Sequence, residues 1–166
     1  MEIAHLNAIM VIILRELENV FRLVNEKLSL EKQREGGHFC LALRDHFGPP
    51  LLMLKVGEQT LARAERTFRL CLEKAKRLRQ HPEHLTSSQS QDENLDQHGG
   101  AVLWGDLIFS FSGLSGGEED EKLMLTLIQP SRWHGRLPNP VDIKQFRSIE
   151  AASREAYHPT PASPEL

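Results

Sequence analysis

His38 and Cys40 stand two residues apart in "HFCLAL" (38–43). On a strand that spacing turns both side chains to one face. Imidazole and thiolate are both axial ligands of haem iron, so the pair is a candidate for holding haem. The same strand would bury Cys40 equally well as a small apolar residue. His38, following two glycines, would equally well cap the strand end. His46 in "RDHFGPP" (44–50) and His98 ahead of Gly99-Gly100 are comparable candidates. His38, Cys40, His46 and His98 are therefore the expected cofactor-binding set.

The other constellations are weaker. Ser110 and Ser112 alternate on one strand face, but no GxSxG elbow accompanies them, and strand serines mostly satisfy local hydrogen bonds. His81 and His84 in "HPEH" supply two nitrogens where a structural zinc needs four ligands. They read as loop histidines. HExxH, P-loop and dinucleotide motifs are absent from the sequence. "SGLSGG" (112–117) precedes a helix, so its amides could meet an anion. "EEDE" (118–121) follows at once, however, and would repel a phosphate, which favours capping as its role. No catalytic residue is expected, and no metal ligand set is assigned.

The net charge is −3 and only 6% of residues are aromatic, which argues against nucleic-acid binding by basic stripe or stacking platform. Two cysteines, Cys40 and Cys71, are too few for a disulfide framework and point to a reducing, cytoplasmic setting. "AIMVIIL" (8–14) is too short to span a bilayer and has no cationic segment before it, so neither membrane nor secretory targeting is expected.

The elements that would carry these residues follow from periodicity. Residues 3–30 show helical apolar spacing with no Gly or Pro. The apolar face is broad around Ile9–Leu14, which suits burial either wholly within the domain or partly against a second subunit. Residues 38–43 and 51–56 are apolar strands joined by a turn rich in Asp, Gly and Pro. Residues 58–80 form a second helix. Its apolar stripe runs through Leu61, Ala64, Phe68, Cys71, Leu72, Ala75 and Leu78. Arg63, Arg66, Arg69, Lys74, Lys76 and Arg77 fall largely outside that stripe, as a solvated basic face or as a patch for an acidic cofactor. Residues 81–98 form a long polar loop. "AVL" and "LIFSFS" flank a "WGD" turn as a second hairpin. A third helix starts at the acidic run and ends before Pro130, and a short one is expected at 141–152.

The order is helix, strand, strand, helix, loop, strand, strand, helix. An antiparallel sheet with two apolar faces needs helices on both sides, which predicts an α+β domain layered α/β/α over residues 1–130. Residues 131–166 are a Pro-rich C-terminal extension expected to be partly disordered, its last stretch "HPTPASPEL" especially.

"LALRDHFGPPLLMLKVG" before a helix, and "HGGAVLWGDLIFSFSGLSGGEEDEKLM" after the loop, together resemble the two signature hairpins of the GlcG/HbpS family. These are haem-binding and haem-degrading-type domains, related to the C-terminal domain of PduO-type corrinoid adenosyltransferases. The resemblance covers residues 3–129. The positions that match are Asp45, Gly48, Gly99, Gly100, Gly105, Ser112, Gly113 and Asp120, and most of them look structural. Trp104 and the extension depart from the pattern. The resemblance implies a profilin-like, homo-oligomeric domain that binds haem or another tetrapyrrole for sensing, storage or handling. The alternatives are an enzyme of haem breakdown or other small-molecule chemistry, and a structural adaptor acting through its oligomer and tail.

Overall fold

The computed structural model describes residues 2–133 and 143–161. Helix α1 spans Ile3–Asn25, strands β1 and β2 span Gly36–Leu43 and Leu52–Gly57, and helix α2 spans Leu61–Gln80. Strands β3 (Ala101–Trp104) and β4 (Leu107–Ser112) precede helices α3 (Gly117–Leu127), α4 (Pro130–Trp133) and α5 (Ile143–Tyr157). The sheet is antiparallel with order β2-β1-β4-β3. The predicted α+β class and element order hold, and the arrangement is compatible with a profilin-like α/β/α domain.

The two faces of the sheet are built from different residues. Phe39, Leu41, Val102, Trp104, Leu107, Phe109 and Phe111 alternate onto the face covered by α1 and α3. Cys40, Ala42, Ala101, Leu103 and Ile108 point to the opposite face, which α2 covers with Cys71, Ala75 and Leu78. Period-two alternation assigns the residues to faces. Size assigns the spacing: the small residues let α2 lie close to the strands. Complete burial of Phe39, Phe109 and Phe111 stabilises the first core by roughly 1.5–3 kcal/mol for each ring.

Helix α1 ends five residues earlier than its periodicity predicts. The Asn25 side chain donates to the Arg34 carbonyl at 2.8 Å and accepts from the Arg34 amide at 2.9 Å, tying the helix end to the start of β1. Gly36 and Gly37 lie inside β1. A Cβ on Gly37 would stand 2.4 Å from the Ser112 carbonyl and 2.5 Å from the Phe111 ring. Only glycine allows β4 to approach that closely.

Loop 81–98 is pinned rather than free. Thr86 bridges to Val102, and the Leu103 amide donates to Leu85, so Leu85–Thr86 covers the outer edge of β3. Two short 3-10 turns, Ser87–Ser90 and Glu93–Leu95, shape the rest. Residues 130–133 and 143–157 do not stand apart from the domain. Trp133 and Ile149 are buried in the same core as α1 and α3. Residues 134–142 and 162–166, which include part of the expected disordered tail, lie outside the described residues. No described helix is long and apolar enough to cross a membrane.

Candidate functional site

Lys74, read in the sequence as part of a solvated basic face or a patch for an acidic cofactor, is instead buried in an ion pair with Asp120. Lys74 is 1% exposed and Asp120 is 3% exposed. Lys74 Nζ donates to Asp120 Oδ2 at 2.7 Å and to the Phe111 carbonyl at 2.9 Å. Asp120 Oδ1 accepts from the amides of Gly113 at 3.2 Å and Leu114 at 2.8 Å. Burial pushes the Asp120 carboxyl up, while Lys74 and the two amides pull against that shift. The pair joins helices from opposite sides of the sheet. It also has a signature in sequence: Lys74 falls three residues after Cys71 and four before Leu78, inside the apolar stripe.

Gly99-Gly100 makes room for this arrangement. Gly100 has φ +127°, and a Cβ there would lie 2.8 Å from Lys74 Nζ and 2.9 Å from Asp120 Cβ. A Cβ on Gly99 would collide with the hydroxyl of Tyr157 on α5. The glycine pair is thus needed for close approach on two sides, by the ion pair and by the last helix.

Above the ion pair opens a cavity of about 280 Å³. Arg34, Arg63, Arg66 and His98 line it together with Thr67 and the loop from Ser112 to Gly117. Arg63 donates to the Gly113 carbonyl, which fixes its guanidinium against that loop. Among the described residues the Arg34 guanidinium donates to the backbone carbonyls of Glu31 and Gln33. Among the described residues neither Arg34 nor Arg63 is paired with a carboxylate. Arg66 grips Asp96 through both guanidinium nitrogens at 3.1 and 2.9 Å, and Asp96 in turn holds His98 Nε2 at 2.9 Å.

The floor of the cavity is the start of α3. Its N-cap, Gly116, has no side chain with which to cap the first-turn amides. Ser115 Oγ is buried and has no hydrogen-bond partner among the described residues. Unmet helix N-termini carry partial positive charge and donors that suit anions. The acidic run was expected to repel an anion here. Instead the four acids are turned to other partners: Glu118 to His158, Glu119 to Lys32, Asp120 to Lys74, and Glu121 to Ser88 and the Gly100 amide. Of the four, only Asp120 lines the cavity, and Lys74 balances its charge. The net effect is a cationic mouth.

The candidate residues separate along β1. His38 and Cys40 do share the face toward α2. His38 Nδ1 meets Thr67 Oγ1 at 2.9 Å, and its ring packs edge-on to Phe68, so it stands just behind the cavity wall. Burial and then the Lys55 charge lower its affinity for a proton. Cys40 is 0% exposed beneath α2, beside Cys71, whose thiol burial pushes up. A haem iron could reach Cys40 only by displacing the helix. His46 is exposed in the β1–β2 turn, at the far end of β1 from His38. His98 is the one member of the set on the cavity wall.

No protein-family model, curated protein or solved structure matches the chain. The likeness to the GlcG/HbpS family therefore rests on the two hairpin signatures alone.

Sequence reasoning missed Arg34 and the roles of Lys74, Arg77 and Asp96. Arg77 is buried, paired with Glu73 at 2.7 Å, and donates to the carbonyls of Ser87 and His98. It holds the loop that presents His98. The nearby charges set a pH dependence. Arg66 foremost, then His98, hold the Asp96 carboxyl well below the ordinary carboxylate range. A carboxyl whose folded pKa is depressed contributes stability above its unfolded value, and loses it as pH falls toward the folded one. The protection of amides in residues 92–98, taken as exchange relative to the intrinsic rate at each pH, is expected to fall below about pH 4. Asp96→Asn should show lower protection at neutral pH and much less change in protection on acidification. Wild-type protection that stays flat through that range would contradict the role given to Asp96.

Proposed function

We propose that the protein is a small-molecule-binding module whose ligand carries a carboxylate or phosphate group held in the Arg34–Arg63–His98 cavity. The observation that carries this reading is the pairing of two arginines, without carboxylate partners among the described residues, with an uncapped helix start on one wall. Guanidinium groups bind carboxylate and phosphate through paired, charge-assisted hydrogen bonds. The cavity, at about 280 Å³, lies near the lower end of ligand-sized sites. It suits a compact anion. Among the described residues that line it, no nucleophile is paired with a base, which favours binding over catalysis.

A tetrapyrrole remains the second reading, and His98 is the observation that favours it. An imidazole beside two arginines matches one axial ligand and two propionates, with most of the macrocycle outside the cavity. The module is also proposed to self-associate through α1, whose outer side leaves Ile3, Val11 and Leu14 exposed.

Titration with equimolar hemin separates the ligand classes. The small-anion reading expects no saturable Soret shift, together with saturable binding of orthophosphate or a short dicarboxylate. A one-to-one Soret shift abolished by His98→Ala would instead assign the cavity to a tetrapyrrole. Absence of both responses would remove the binding reading.

A further inference from the structure

At the other end of α2 a second cluster has the geometry of a metal site. His81, Glu83 and His84 present one ligand atom each, and the three atoms lie within 4.8 Å of one another. His81 Nδ1 and His84 Nε2 each stand 3.4 Å from the same oxygen, Glu83 Oε1. That is long for charge-assisted hydrogen bonds, which run about 2.7–2.9 Å. It matches the separation of two ligands on one tetrahedral ion. Zinc bonds of about 2.0–2.1 Å give an edge of roughly 3.3–3.4 Å between donors. The two imidazole rings are stacked, 4.6 Å apart and 10° from parallel, so sharing one ion requires them to turn about their side-chain bonds until both nitrogens point to it.

Backbone and side-chain bonds shape this turn. The His84 amide donates to the His81 carbonyl at 2.9 Å, closing a turn around Pro82. Proline at that turn position has its φ preset. Arg44 donates to the Pro82 carbonyl, and Arg79 donates to Leu43 at 2.8 Å. These bonds tie the turn to the end of β1. His81 is also the C-cap of α2, where the helix dipole favours a cation. Less ordering is then left to be done when an ion binds.

We propose that His81, Glu83 and His84 bind a zinc-class divalent cation through two nitrogens and one carboxylate oxygen, leaving a fourth position for water or an outside donor. The sequence offered only the two histidines at this turn; the third ligand is the intervening glutamate, which the turn swings back between them. The site is at the opposite end of the domain from the anion cavity and does not depend on it.

The test uses the full-length chain. Zinc is titrated against a chromophoric chelator, and cobalt(II) is added as a spectroscopic probe. The expected result is one saturable zinc site and the intense visible bands of tetrahedral cobalt. His84→Ala and Glu83→Gln should each weaken binding by more than about tenfold, since even loss of a group that only supports a ligand costs that much. His5→Ala should leave binding unchanged. Circular dichroism of each variant checks that the fold persists. No binding, or full binding retained in folded His84→Ala and Glu83→Gln, would overturn the proposal.

Discussion

Lys74→Met is expected to lower the unfolding free energy, read from urea denaturation, by about 3–5 kcal/mol. Methionine fills nearly the same volume, so the loss does not come from a cavity. It comes from Asp120, left buried with two backbone amides and no cation. A buried charge robbed of its partner is far more costly than the intact pair is stabilising. Burial already pushes the Asp120 carboxyl up with Lys74 present, and without Lys74 it is pushed further. A carboxyl with a raised folded pKa binds its proton more tightly when folded, so the variant's deficit grows as pH rises above the ordinary carboxylate value. Lys74→Met combined with Asp120→Asn should regain much of the loss, because asparagine keeps an oxygen for the Gly113 and Leu114 amides. A single variant within about 1 kcal/mol of wild type would show that the pair is not the buried contact described above.

Arg63→Ala is expected to weaken orthophosphate or dicarboxylate binding by about tenfold to a hundredfold, the value of a charge-assisted hydrogen bond of 1.5–3 kcal/mol. The stability of the fold should change little, because the Arg63 side chain and its bond to the Gly113 carbonyl are only part-buried. Arg63→Lys keeps the charge and loses the paired donors, so its affinity should fall between the two. Equal affinity in wild type and Arg63→Ala, measured by calorimetry, would remove Arg63 from the site.

The layering was legible because the pattern that builds it is simple. Apolar runs in 38–43 and 51–56 call for cover on both faces of the sheet, and helical spacing in 61–80 turns one side of α2 toward it. The misplaced residues broke a rule of thumb for a physical reason. Lys74 and Arg77 were assigned to solvent by charge, although their positions continue the buried stripe of α2. The partners that make their burial tolerable, Asp120, Ser87 and His98, lie 10 to 46 residues away in sequence. No local pattern could supply them. The acidic run at 118–121 was read as one block of charge. In the fold a helix turns successive residues about its axis, and each acid finds a different neighbour. Of the expected ligands, His98 reaches the cavity because Arg77 and Asp96 position its loop. Cys40 does not, for the reason already foreseen as the alternative: a small thiol on a strand packs well under a helix.

The most direct measurement is an amide NMR titration of the full-length protein with orthophosphate and with a short dicarboxylate. Saturable shifts concentrated at residues 113–119 and at His98, reduced by Arg63→Ala, are expected. Saturable shifts centred elsewhere, or none at millimolar ligand, would contradict an anion-binding cavity at the start of α3.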